Sequence, residues 1–429
     1  VSENPELRKN VWLEFSLTRM FGMPALLAAI FLMTFLSDRS AFGSATRAAA
    51  TGVFVFLAYV WGSWLADESM TREIRDRTWD WTRLSAVSPW SVAWGKLVGA
   101  TAYTWYGALF CLPVYIASDP EWDWRKVLLL VIGAAFCQAS ALFLALQPGT
   151  MDGRGTRLRS LAGIFVVLSL ITGLYNPLYS GERTVTWFGL VFPAFGFAII
   201  SAALFLAWAL AGIHARLRAE FRMPVLPAAW CLFVPFVMVF TAGFSDPGSE
   251  AGRAAAFLSS VVLAYAAVFF EKKDPVALRR IVAAGKARDW RRVAEGIPCF
   301  VLVMPFVIGS AAALALPYGH AIPKPDYGIA RALEGVPAIA FACVAFVVRD
   351  LSLVFHLSIG PAAKRAELFS ILCLAVLYLL VPGILKLIGA APFAALFWPM
   401  AAHWQASLGG AFLQAALMSW VALRRWRSS

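Results

Sequence analysis

Charge is scarce in this sequence. Only 14% of its 429 residues are Asp, Glu, Lys or Arg, while 60% are apolar; a soluble domain carries about 25% charged residues. A fold of this composition in water would expose apolar surface that it has too few polar groups to cover, which excludes an ordinary globular protein. Histidine is rarer still. His214, His320, His356 and His403 stand apart, with no HExxH or i,i+4 pair, so no histidine-based metal centre follows. The cysteines Cys111, Cys137, Cys231, Cys299, Cys343 and Cys373 lie in apolar runs at unrelated spacings. They suggest neither a zinc site nor a disulfide framework and read as small apolar fillers. No GxxxxGK[ST] loop occurs, because Gly95-Lys96 and Gly285-Lys286 are followed by Leu97 and Ala287; ATP binding through such a loop is excluded on this chain. The net charge of +12 forms no single basic patch or tail, so nucleic acid is not an expected partner. A charged segment precedes the first apolar run, and no cleavable signal peptide is expected.

What the sequence does have is long apolar runs, the mark of membrane-spanning helices rather than of the short alternating segments of a barrel. Twelve spans are expected, at 21–35, 49–66, 92–116, 127–147, 161–175, 187–210, 226–244, 254–270, 297–316, 336–355, 368–387 and 393–423. With the N-terminus inside, about 28 of the 37 Lys and Arg residues fall on one side, which the positive-inside rule makes cytoplasmic. Both termini are then cytoplasmic. Ahead of the first span, Asn4 as cap and Pro5 at the first helical position start a helix with Leu7, Val11 and Phe15 on one face, expected to lie on the membrane.

The two halves of the chain echo each other. Phe21-Gly-Met-Pro-Ala-Leu26 matches Phe221-Arg-Met-Pro-Val-Leu226; Arg75-Asp76 with Trp79 matches Arg288-Asp289 with Trp290; Arg157 and Arg159 match Lys364-Arg365; and the 188–193 stretch matches 393–399. Their common order at an offset of roughly two hundred residues implies a duplication. The domains are drawn at 1–215 and 216–429. The expected fold is all-α integral membrane, about twelve transmembrane helices in two parallel six-helix pseudo-repeats. Trp187, Phe192, Pro193, Phe397, Trp398 and Pro399 are expected in short re-entrant helices opening the sixth and twelfth spans on the outer side, because each stretch is aromatic and ends in a proline.

The segment 67–91 carries the densest polar chemistry. Treated as one helix, it places Met70, Ile74, Thr78 and Trp81 on a membrane-held face and Arg72, Arg75, Trp79 and Arg83 on the opposite one, with Glu73, Asp76 and Asp80 between. Glu73 and Arg77 are spaced to pair at i,i+4. Ser88-Pro89 restarts a helix. In the second half, Asp274-Pro275 starts a helix running through Arg279, Arg288, Asp289 and Trp290. Inside the spans charge is sparse: Arg349-Asp350 is expected near the inner end of the tenth span, and Lys386 near the outer end of the eleventh. Gln138, Ser140, Trp105 and Tyr106 read as helix–helix contacts more readily than as a path lining.

The stretch 73–97, EIRDRTWDWTRLSAVSPWSVAWGKL, resembles the coupling-loop region of type-2 ATP-binding-cassette permeases, in which a Glu/Arg-rich helix follows the second span and Ser-Pro and Gly-Lys-Leu elements lead into the third. The likeness includes the amphipathic N-terminal helix; it reaches the second half through the duplication alone, where the Ser-Pro and Gly-Lys-Leu elements are missing. The resemblance implies the permease of an exporter in a bacterial inner membrane, itself not an enzyme and without cofactor, driven by a separate cytoplasmic ATPase in two copies that holds ATP and Mg. It also implies that the outer re-entrant segments cap the path. Coupling would fall to Glu73, Arg75, Asp76, Arg77, Trp79 and Trp81 in one loop and to Asp274, Arg279, Arg288, Asp289 and Trp290 in the other. The shortage of buried charge favours an apolar or amphipathic substrate, with membrane lipid as surroundings. Two rivals are a secondary active transporter of major-facilitator-like 6+6 topology, whose Gly…Asp-Arg…Gly-Arg loop pattern is missing, and a membrane-embedded glycosyl- or acyltransferase, for which Asp119, Glu121 and Asp123 lack supporting residues.

Overall fold

The computed structural model describes residues 4–37, 43–85, 87–119, 122–147, 184–271, 273–316, 336–359, 366–399 and 403–428. The expected fifth span, with Arg157 and Arg159, and Lys364-Arg365 lie outside them. The described residues are helical apart from one two-stranded hairpin. Eight helices are long and apolar enough to cross a membrane, or up to ten if two bent pairs each count as one span. The chain is thus a multi-pass membrane protein in architecture. It divides into two compact units, one of residues 1–185 and 191–225, the other of 186–190 and 226–429.

In the first unit, α1 (Pro5–Glu14) begins as its sequence dictates: the Asn4 side chain accepts from the Glu6 and Leu7 amides, and Pro5 sits where no amide is needed. Its Trp12 and Leu13 are exposed, a placement suited to a lipid surface. The chain then runs through α2 (Leu17–Ser37), α3 (Ser44–Arg75), α4 (Trp79–Leu84), α5 (Pro89–Gly99), α6 (Ala102–Ser118), α7 (Trp124–Ala145) and α8 (Ala194–Glu220). Helix α3 widens into a π-helical turn at Val55–Trp61. A wide turn disturbs the backbone ladder, and Gln138 of α7 compensates, donating from Nε2 to the Ala58 carbonyl (2.9 Å) while Oε1 accepts from the Trp105 indole (2.9 Å). Gln138 and Trp105 therefore join helices, as polar side chains at membrane depth do. Helix α5 is bent by 49° from α6.

The second unit contains α9 (Ala228–Ala242), α10 (Glu250–Phe270), α11 (Pro275–Lys286), α12 (Trp290–Gly296), α13 (Cys299–Ala315), α14 (Val336–Ile359), α15 (Ala366–Leu387), a 3₁₀ turn at Ala391–Leu396 and α16 (Trp404–Ser428). Val303, Val307 and Ala311 of α13 pack with Val344, Val347 and Leu351 of α14 and with Ala264 and Val268 of α10 in one core. A second cluster joins Ala342, Ala345 and Phe346 to Ala411 and Ala415 of α16; small residues let these two helices approach closely.

The stretch entering α8 corrects an expectation. In place of a re-entrant helix it forms a hairpin, β1 (Thr184–Trp187) and β2 (Leu190–Pro193), around the two-residue turn Phe188-Gly189. Both turn residues have positive φ, 50° and 76°, the backbone that closes a hairpin with the right twist. Phe192 lies in β2, and Pro193 ends that strand and stands at the N-cap of α8. On the tip of the hairpin, Trp187 donates to the Phe240 carbonyl (3.1 Å) against Gly243. Ahead of α16, by contrast, the chain makes a short helical turn and then a break that holds Phe397, Trp398 and Pro399.

Candidate functional site

The segment after the second expected span is built differently from a single docking helix. Helix α3 continues to Arg75 and stops there because Thr78 N–H returns to the Glu73 carbonyl (2.9 Å) and Arg77 N–H to that of Ile74 (3.2 Å), with Arg77 left-handed at φ 58°. Before this Schellman stop Met70 is buried and Arg72 and Arg75 exposed, as the wheel expects; beyond it Trp79 and Trp81 exchange faces, since a helical wheel cannot be continued through a left-handed residue. Trp79 turns inward: it is 5% exposed, stacks on Phe221 (ring centroids 6.0 Å apart) and lies under the Lys96 ammonium at 5.9 Å. Trp81 turns outward, 77% exposed, beside exposed Leu84 and Asp80. Arg75, Asp76 and Arg77 are exposed as well.

Glu73 does not pair with Arg77. It is the centre of an ion cluster that ties α1, α3 and α5 together. The Lys96 ammonium, 1% exposed, lies 2.9 Å from Glu73 Oε2 and 4.0 Å from Glu6 Oε1, and donates to the Ser69 carbonyl (3.1 Å). Lys9 bridges Glu73 (2.9 Å) and Glu6 (3.0 Å). Burial works against the charge on Lys9, but its bonds to Glu73 and Glu6 outweigh that and raise its pKa above the ordinary value. Asn4 and Asn10 of α1 donate to the carbonyls of Ser91 and Gly95. A side chain at Gly95 would run into Glu6 and one at Gly99 into Asn10, which is why the C-terminal half of α5 carries glycine at both positions. Ser88 accepts from the Ser91 amide, the cap that Ser-Pro promises. Spacing along the chain singles out Glu73 but gives no sign of its partners Lys96 and Lys9, which it shares with Glu6.

The second loop repeats the same devices. Asp274 caps α11 through the Val276 amide. Arg288 is left-handed at φ 58°, and Asp289 N–H returns to the Ala284 carbonyl (3.0 Å). The expected single helix is therefore two: Asp289 caps α12, in which Trp290 is the first residue and 68% exposed. Structurally, Arg77-Thr78-Trp79 corresponds to Arg288-Asp289-Trp290, two residues from the alignment that Arg75-Asp76 suggests. Arg279 donates to the Trp426 carbonyl (3.1 Å).

A second polar cluster lies in α14. Arg349 and Asp350 sit ten and nine residues from the C-terminal end of this 24-residue helix and are buried. Arg349 Nε meets Asp350 Oδ1 at 2.7 Å, and Asp350 Oδ2 accepts from Tyr265 (2.6 Å) and Tyr378 (2.7 Å). The Arg349 guanidinium also lies over the Phe346 and Tyr378 rings at 4.8 and 5.0 Å, and donates to Gln414 (2.7 Å). Lys386 reaches over the Trp398 ring at 5.6 Å.

Among the described residues no group of His, Cys, Asp and Glu is arranged to hold a metal ion. No protein-family model, curated protein or solved structure matches this chain.

Proposed function

We propose that this chain is the transmembrane permease of an ATP-binding-cassette exporter, with about twelve spans in two parallel halves, driven by a separate cytoplasmic ATPase. The observation that carries this reading is the build of the first loop. Short α4 exposes Trp81 and Leu84 beside Asp80 and Arg83, while its root is braced by Trp79 and the Glu73–Lys96 cluster to α5 and α1. A stiffly rooted element with an exposed aromatic and charged tip suits the transmission of a push from a partner, because force on the tip is passed to α5 instead of being lost in loop motion. Aromatic and Arg side chains are also the types enriched at interface hot spots. The second loop, with left-handed Arg288 and exposed Trp290, supports two docking places and hence two ATPase copies. The substrate is apolar or amphipathic and the location a bacterial inner membrane with both termini cytoplasmic. The turn at Ala391–Leu396 and the break after it act as an outer cap of the path.

The test is co-purification with candidate ATPases. Replacing Arg75, Arg77 and Trp81 together by Ala removes exposed groups only, so the permease stays folded and the ATPase is lost or its hydrolysis uncoupled from export. Trp79 is left in place because its loss would damage the fold. Retained binding and coupled transport in the triple variant would exclude the loop from this role. The buried Arg349–Asp350 pair favours a second reading, secondary active transport, since ionisable groups at membrane depth often mark ion pathways. Uptake into vesicles driven by a proton gradient, with no ATPase present, decides for it.

A further inference from the structure

We propose that Arg349 is a positioning residue that latches the 391–399 segment closed; this rests on the reading of that segment as a cap. The segment lies against one face of α16, at three positions spaced by helical turns. The Ser407 hydroxyl is 2.7 Å from the carbonyls of Ala395 and Trp398. Gly410 gives Leu396 room that a side chain would take. Gln414 donates from Nε2 to the Leu396 carbonyl (2.7 Å). The other end of the same carboxamide accepts from Arg349 Nη1 (2.7 Å), and Arg349 is held by Asp350, itself held by Tyr265 of α10 and Tyr378 of α15. An unbroken line of hydrogen bonds thus runs from a buried charge pair in α14 to the backbone of the turn.

The physics of the pair makes this line a switchable one. Arg349 is 3% exposed and its Nη2 has no acceptor among the described residues. A buried guanidinium costs less the more of its charge and N–H groups are compensated. Gln414 supplies part of that compensation, so pulling Leu396 away draws on the Arg349 environment and is resisted. The ion pair runs through Nε and the Gln414 bond through Nη1, so release of the carboxamide leaves the ion pair intact. Movement of α14 is therefore felt at the turn, and movement of the turn at α14.

Hydrogen exchange on the purified chain tests this without any ATPase, so the outcome is separate from whether an ATPase binds. The amides of Phe397 and Trp398, which donate to the Ala394 carbonyl, report the turn. Gln414→Leu cuts the line without touching the ion pair, and Arg349→Gln with Asp350→Asn removes both charges and the bond to Gln414 together. Each variant is expected to speed exchange across 391–399 tenfold or more while α13 stays unchanged. Unchanged exchange in the turn, or a uniform rise through the unit that reports only lost stability, overturns the latch. Should the double variant fail to fold, Gln414→Leu alone decides.

Discussion

Lys96 shows how one residue can matter in a way its neighbours in sequence do not. An ammonium that is 1% exposed is tolerated because Glu73 stands 2.9 Å away and the Ser69 carbonyl accepts from it. Removing the carboxylate by Glu73→Ala strands that charge, and the expected loss is about 3 kcal/mol, the lower end for a broken buried pair because Glu6 remains nearby. Lys96→Met costs less, since Glu73 keeps half-exposed Lys9. Thermal or denaturant unfolding in detergent orders the two variants. The pH dependence has a sign as well. Because the folded state raises the pKa of Lys9, its contribution is complete below the ordinary value of 10.5 and is lost only as pH climbs through the folded one. The Lys9 contribution should therefore hold up to that ordinary value, with an alkaline loss that Lys9→Met abolishes, as followed by denaturant unfolding in detergent at successive pH values. Arg77 separates folding from docking: its left-handed backbone favours glycine, so Arg77→Gly is neutral or stabilising by up to about 1 kcal/mol, yet should weaken ATPase capture.

Among elements, the π-helical turn in α3 and the hairpin before α8 owe their shapes to single partners. Gln138→Leu leaves the Ala58 carbonyl and the Trp105 indole without their partner at membrane depth, for an expected cost of about 1–3 kcal/mol in unfolding experiments. At the hairpin, a methyl group added at Gly243 falls on the Trp187 indole. Gly243→Ala should displace Trp187 from the Phe240 carbonyl and loosen the hairpin, seen as faster exchange of the Phe188 amide, which donates to the Gly243 carbonyl. The global unfolding temperature should move little, because the strands are short.

For the whole molecule, apolar content and the spacing of basic residues already spelled out a multi-pass helical protein, and the start signals at Asn4-Pro5, Ser88-Pro89 and Asp274-Pro275 placed helix starts where they occur. These features were legible because each is local: hydropathy over twenty residues and a cap over four depend on nothing distant. What tertiary structure decided was direction and company. Trp79 faces inward and Trp81 outward because a left-handed Arg77 breaks the wheel between them. Glu73 meets Lys96 and Lys9 instead of Arg77, because α1 folds back onto the C-terminal half of α5. Arg349 is buried against Asp350 and Gln414, because α10, α15 and α16 close around α14. The 187–193 stretch pairs as strands because the Phe188-Gly189 turn lets the backbone satisfy itself across a hairpin. Periodicity assumes an unbroken helix and reports the average polarity of a face; which side chains meet across helices depends on breaks, bends and close approaches that involve residues far apart in the chain.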